Sequence, residues 1–436
     1  MLSDTIIIKM AHDKKGLTHM NVVFIGHVDH GKSTTVGRLL FDGGAVDEQT
    51  MRKLKEEAAE NGKAGFEFAY TMDNLAEERE RGVTIDLSHK KFQTEKYDYT
   101  IIDAPGHADF IKNMITGVSQ ADIGVLVVAS TDGVNAQTRE HTMLAKVFGI
   151  DNLIVAVNKM DMREYAESRF NEVKAELVDL TGKLGFKSVR YLPIASLPGD
   201  NVFKKSENMP WWTEGTLIEL LDASEPVNRP TELPLRLPLQ DVYNIKGIGS
   251  VCVGKIETGV LKSGMKIVAV PAKTGTGMAG EVKDIEMHHE KVAEAIPGFN
   301  VGFSSKGFAK GDLARGDVIG EASAPPTLVE EFTGQIMVMN HPSVITVGYS
   351  PVFHIHTSQI SCRITAIPKQ LSPEVKDNPD FIKNGDAAIV TFQPLKAVVI
   401  EKRDVIPQLA RFAIRDSGKT VAAGQCMDLK AKELKF

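Results

Sequence analysis

A doubly wound α/β domain with a mostly parallel sheet, followed by two all-β barrels, is the fold class predicted by this sequence of 436 residues. Three observations predict it. From Met20 to about Asp222, short β-branched runs alternate with helical stretches, the pattern of βαβ units. From Leu235 onward the chain turns to short alternating runs punctuated by glycine, such as GSVCVGKIETGVLKSG from Gly249 and GQIMVMN from Gly334, which is how closed antiparallel sheets read. Two proline-rich breaks, EPVNRPTELP from Glu225 and EASAPPTLVE from Glu321, separate the segments at ordinary domain spacings.

The expected division is an N-terminal extension at 1–19, taken to be flexible, an α/β domain at 20–225, a first barrel at 226–324 and a second at 325–436. Within the α/β part the strands are expected in NVVFIG from Asn21, YTIIDA from Tyr99, IGVLVVAS from Ile123, NLIVAVN from Asn152 and RYLPIA from Arg190. They are nearly continuous apolar runs because a parallel sheet is covered on both faces. EHTMLAKVF from Glu140 and the long segment from Glu164 to Leu184 have helical spacing.

Composition narrows the function classes. No apolar run approaches the roughly 20 residues of a membrane helix, and the first twenty residues lack the pattern of a secretory leader, so a cytoplasmic protein without a membrane partner is expected. Cys252, Cys362 and Cys426 are scattered and in no metal-like spacing, which suits reduced, buried thiols. The net charge of −6 argues against a general nucleic-acid coat; residues 327–436 carry 13 Lys+Arg against 11 Asp+Glu, so any such contact is local.

The chemistry is written in three motifs. GHVDHGKS, comprising Gly26, His27, Val28, Asp29, His30, Gly31, Lys32 and Ser33, with Thr34 after it, lies between a predicted strand and a helix, where a phosphate loop must be. Its glycines let backbone N–H groups turn to phosphates, Lys32 supplies charge at the terminal phosphates, and the Ser33 hydroxyl suits a magnesium ion. DAPGH follows a later strand, placing the Asp103 carboxylate near that metal through water, then Ala104, Pro105 and a flexible Gly106 where a γ-phosphate would be sensed. NKMD ends another strand, with Asn158, Lys159 and Asp161 at the carboxyl edge where such sheets bind ligands. The Asp161 carboxylate can accept from the ring N–H and exocyclic amine of guanine, donors that adenine lacks on that edge, so GTP and GDP are expected over ATP. In RERGVTID, between the first two motifs, Thr84 is placed to become a second magnesium ligand in the GTP state. Together these make the first domain an α/β P-loop GTPase domain.

Longer stretches carry a resemblance. MNVVFIGHVDHGKST, MDNLAEERERGVTIDLSHKKF, TIIDAPGHADFIKNMITGVSQAD, QTREH, AVNKMD, KSENMPWW, IEMHHE, HPSVITVGYSPVFHIHTSQI, NGDAAIVTFQP and IPQLARFAIRDSGKTVAAGQC are similar to segments of the elongation factor 1-alpha family of archaeal and eukaryotic type, over Met20 to about Met427. The resemblance implies a ribosome-stimulated GTPase that carries aminoacyl-tRNA to the ribosomal A site and is recharged by a guanine-nucleotide exchange factor. It implies that His107 orients the attacking water, that Ala195, Ser196 and Leu197 form the third guanine-contacting segment, and that Glu286, His288 and Asn300 surround the aminoacylated end of tRNA. The chain departs from the family pattern at Ala195-Ser196, where Ser-Ala is usual, at Ala108 beside His107, and at Phe299, where an acid is usual. Two other duties suit related architectures: carrying a tRNA-shaped release or rescue factor, and serving as the GTPase subunit of a sulfate-activating enzyme.

Overall fold

The computed structural model describes residues 17–60, 62, 65–72, 87–107, 110–226, 229–245, 249–287 and 290–435. Thr84 and His288 lie outside the described residues, as does most of the expected N-terminal extension. The chain forms two compact units, Met1–Val227 and Asn228–Phe436.

In the first unit, β1 (Thr18–Ile25) leads through α1 (Lys32–Asp42) and α2 (Glu48–Glu60) to the hairpin of β2 (Ser88–Gln93) and β3 (Tyr97–Asp103). Then follow α3 (Ile111–Gln120), β4 (Ile123–Ala129), α4 (Ala136–Val147), β5 (Asn152–Asn158), α5 (Glu167–Leu184), β6 (Ser188–Pro193) and the short α6 (Leu217–Asp222). The six strands lie in the order β2-β3-β1-β4-β5-β6, all parallel except β2, which is antiparallel to β3. Every residue of β4 is buried, as a sheet covered on both faces requires. The first strand begins at Thr18, two residues inside the expected extension, because His19 is held between Asp98 at 3.1 Å and Asn21 at 3.2 Å. The long helix starts at Glu167 and not Glu164: Glu164 and Tyr165 have φ of 51° and 54°, outside helical space.

Order β2-β3-β1-β4 puts the chain reversal of the parallel strands beside β1, so the ends of β1, β3 and β5 open on one crevice, the place where doubly wound sheets bind ligands.

The second unit holds two seven-stranded antiparallel sheets, each closed on itself. In the first, Lys266–Val270 pairs with both Met278–Met287 and Val318–Glu321; in the second, Val352–Ile355 pairs with both Ser358–Ser372 and Arg411–Asp416. Closure leaves few exposed strand edges. Phe332, Phe353, Phe392 and Phe412 fill the second barrel with ring centroids 5.0–6.1 Å apart. Between the barrels Val268, Val270 and Val318 meet Leu328, Val399, Ile406 and Leu409 in a shared apolar seam. All three cysteines are free and buried, and burial raises each thiol, Cys252 and Cys426 to about 12. Among the described residues no helix is long and apolar enough to cross a membrane.

Candidate nucleotide-binding site

The loop after β1 has a backbone that only its own residues permit. Gly26 has φ 142° and a Cβ there would drive into the Val127 carbonyl; Gly31, the N-cap of α1, has φ 90°, and its Cβ would strike the Asn158 amide. The first turn of α1 has neither a side-chain cap nor an acidic residue, so its amides and the positive end of the helix dipole face the crevice. Behind the loop, the Gly26 N–H donates to Nδ1 of His141 on α4 at 3.2 Å. That fixes Nδ1 as an acceptor, and burial, reinforced by the Lys32 charge, lowers the His141 pKa to about 3, so the ring is neutral. Burial, then neighbouring His27, lowers His30 to about 4. His27 itself pairs with Gln137 of α4.

Lys32 is 6% exposed, and its ammonium donates to the His27 carbonyl at 2.9 Å. Burial lowers its pKa to about 8, against the opposing pull of Asp103 and Asp29, so an anion alongside would be doubly favoured: it pairs the charge and restores full protonation. The Ser33 hydroxyl donates to Asp103 Oδ2 at 2.5 Å, bringing the helix start and the end of β3 together. Ala104, Pro105 and Gly106 follow Asp103, and a Cβ on Gly106 would meet the Lys32 ammonium and lie 2.8 Å from the Gly26 carbonyl oxygen. His107 is exposed, with its ring 6.0 Å from that of Phe110.

On the base side, Asn158 ends β5 and is 2% exposed. Its Nδ2 donates to the His30 carbonyl at 2.9 Å, while its Oδ1 accepts from the Ser196 N–H at 2.9 Å. One amide thus joins the phosphate loop to the third segment. Lys159 takes φ 60° to turn the chain into the short 3₁₀ helix Met160–Arg163, which presents Asp161.

A cavity of about 420 Å³ gathers Val28, Asp29, Gly31, Lys32, Ser33, Thr34, Gly106, Asn158, Lys159, Asp161, Ser196 and Leu197. Gly26, His27, His30, Asp103, Ala104, Pro105, His107 and Ala195 lie outside the lining. Phe66, Ala69 and Met162 also line it, apolar residues without a motif to announce them, although a flat base needs apolar faces to lie against. His141 and Gln137 belong to the QTREH stretch, whose sequence showed its distinctiveness but not its task.

In the first barrel, Glu286 is opposite Gly302, and Asn300 starts the same neighbouring strand two residues before Gly302. Glu286 and Asn300 therefore share one face of the sheet as diagonal neighbours. Asn300 accepts from Gln240 Nε2 at 3.4 Å, and Phe299, in place of an acid, packs against the barrel core.

Residues 17–246 match the elongation factor Tu GTP binding domain family, 249–320 elongation factor Tu domain 2, and 331–427 the GTP-eEF1A C-terminal domain-like family. The phosphate loop, the Gly106 turn that follows Asp103 and the Asn158 turn on one cavity, in the GTP binding domain family, define a guanine-nucleotide-binding P-loop GTPase. Elongation factor 1-alpha of Methanocaldococcus jannaschii is 56% identical over 423 residues, covering 95% of this chain and 98% of that protein. The Picrophilus torridus elongation factor 1-alpha is 57% identical over 420 residues, covering 94% and 98%. The chain belongs to the elongation factor 1-alpha family of translation elongation GTPases. The fold is shared with the GTP-bound Ski7 GTPase-like domain of S. cerevisiae, at TM-score 0.77, 16% identity and coverage of 94% of this chain and 97% of that one.

Proposed function

We propose that the chain, in its GTP form, binds aminoacyl-tRNA, delivers it to the ribosomal A site in the cytoplasm, and lets go after ribosome-triggered hydrolysis. The observation that carries this reading is the match of 56% over 95% of the chain, which runs through both barrels as well as the nucleotide domain. The described residues that line the cavity all belong to the first unit, so a likeness that extends across the barrels speaks for a shared cargo.

In this reading Gly26–Ser33 and Thr34 cradle the phosphates, Lys32 pairs with the terminal ones, and Asn158, Lys159, Asp161 and the Ala195–Leu197 segment take the guanine. Ser33 and Asp103, a hydroxyl and a carboxylate brought together, are the hard oxygen donors that suit Mg²⁺, with Thr84 as a further ligand in the GTP state. The ion would neutralise charge on the β- and γ-phosphate oxygens. His107 needs only to orient water, because phosphoryl transfer depends on positioning and charge more than on covalent help. Its exposed place beside Gly106 puts it within reach of a partner such as the ribosome, in keeping with partner-triggered hydrolysis. Glu286, Asn300 and His288 are assigned to the aminoacylated end of tRNA, and an exchange factor to the release of GDP.

Filter binding tests the cargo. Several elongator aminoacyl-tRNAs should be retained with a non-hydrolysable GTP analogue and lost with GDP, and initiator tRNA should be retained weakly in both. Equal retention in the two nucleotide states would remove the carrier reading.

A further inference from the structure

The reversed Ala195-Ser196 pair puts a hydroxyl where the family usually has none, and the structure gives that hydroxyl a place. Ser196 Oγ is 2.7 Å from Thr35 Oγ1 of α1 and 2.9 Å from Asn158 Oδ1. Thr35 Oγ1 in turn donates to the Gly31 carbonyl at 2.6 Å. Ser196 and Asn158 are 2% exposed and Thr35 is fully buried.

Two hydroxyl protons serve three contacts. Asn158 Oδ1, with two lone pairs, accepts from both the N–H and the hydroxyl of Ser196. Thr35 donates to the Gly31 carbonyl, and its oxygen lies within reach of the same Ser196 proton. Shared between Asn158 Oδ1 and Thr35 Oγ1, that proton links the base side to Thr35, and the Thr35 proton links on to Gly31.

We propose that Ser196 and Thr35 are a positioning pair which ties the base-facing segment to the phosphate loop, so that the two halves of the nucleotide site hold or release GDP as one. The inference rests on the guanine-nucleotide reading of the cavity. Gly31 is the residue whose left-handed backbone starts α1, so a shift of Ser196 is passed directly to the turn that presents Lys32 and Ser33. Ser196 lines the cavity and Thr35 stands behind it, so the pair acts by positioning Asn158 and Gly31.

The test is GDP release from the full-length protein, followed by chasing a fluorescent GDP analogue with excess GDP. Ser196→Ala should release it about three- to tenfold faster, the equivalent of one buried neutral hydrogen bond. Thr35→Val should do at least as much, and the double variant should be no faster than Thr35→Val alone, because either change breaks the same link. Thr35→Ser, which keeps the hydroxyl, should restore wild-type release. The melting temperature of the nucleotide-free Ser196→Ala protein should be close to wild type, since Asn158 Oδ1 keeps the Ser196 N–H and Gly31 keeps the Thr35 N–H at 2.8 Å. Release at the wild-type rate in Ser196→Ala, or single effects that multiply in the double variant, would overturn the pair. A wild-type protein that fails to bind GDP would instead overturn the nucleotide reading.

Discussion

Replacing Arg236 by Met should loosen the two-barrel unit by about 3–5 kcal/mol, the usual cost of stripping one partner from a buried ion pair. Arg236 and Glu401 have side chains 5% and 6% exposed, and Nε meets Oε1 at 2.7 Å. The guanidinium also donates to the carbonyls of Leu235 and Ala324 at 2.9 Å and of Pro325 at 3.1 Å. Glu401 further accepts from the Thr327 N–H at 3.2 Å and hydroxyl at 2.8 Å. The network therefore pins the segment between the barrels to both of them. In Arg236→Met the carboxylate stays buried with only Thr327 for company, and three carbonyls lose a donor. In the double variant Arg236→Met, Glu401→Leu no charge is stranded, so its cost should fall well below the sum of the singles. The assay must separate the two units. Trp211 and Trp212 are the only tryptophans and lie in the first unit, so their fluorescence reports that unit, while hydrogen exchange of amides in 237–431 reports the barrels. Unchanged barrel protection in Arg236→Met, or additive costs in the double variant, would refute the argument.

Other outcomes follow from the same structure. Asp161→Asn should shift preference from guanine toward xanthine nucleotides, since it replaces an acceptor with a donor facing the base; competition binding that still favours GTP would contradict the assignment. His107→Ala should keep GTP and tRNA binding yet lose fast ribosome-stimulated turnover, and normal single-turnover hydrolysis would count against it. The pH dependence is specific to a residue. Burial lowers His356 to about 4, opposed by the Leu409 carbonyl, so the unfolded chain takes up this proton first and the contribution is intact above pH 6.5 and lost as pH falls toward 4. Burial raises Asp317 to about 6, which acts in the opposite sense, its contribution being complete below about pH 3.8 and lost as pH rises through 6. His356→Leu removes only the first, so the variant's stability relative to wild type should be about 2 kcal/mol better at pH 5 than at pH 7. A difference independent of pH, read by barrel hydrogen exchange, would show that His356 titrates normally.

Much of the fold was legible because burial on both faces leaves a plain mark. The β5 run NLIVAVN coincides with the strand residue for residue, and IGVLVVAS runs only one residue, Ser130, past the end of β4. SHKKFQ was not, for it is the one antiparallel edge strand of the sheet and is mostly polar, with only Ser88 and Phe92 buried. The phosphate loop and NKMD were legible since their residue types follow from the chemistry itself: glycines where the backbone must turn, an acid where guanine donates. Supporting groups were not. Nothing in the types of Thr35 and His141 separates them from ordinary helix residues; their roles come from which helix face the sheet brings against the loop. The barrels were foreseen as closed sheets, but not the pairings that close them, such as Lys266–Val270 with Val318–Glu321, which no local pattern encodes.

The central claim is a switch that grips aminoacyl-tRNA in one nucleotide state and not in the other. Its most direct test is the rate at which the aminoacyl ester hydrolyses in the presence of the purified protein. The account predicts slow deacylation with GTP and a rate near that of free aminoacyl-tRNA with GDP. Deacylation at one common rate in both states would contradict it.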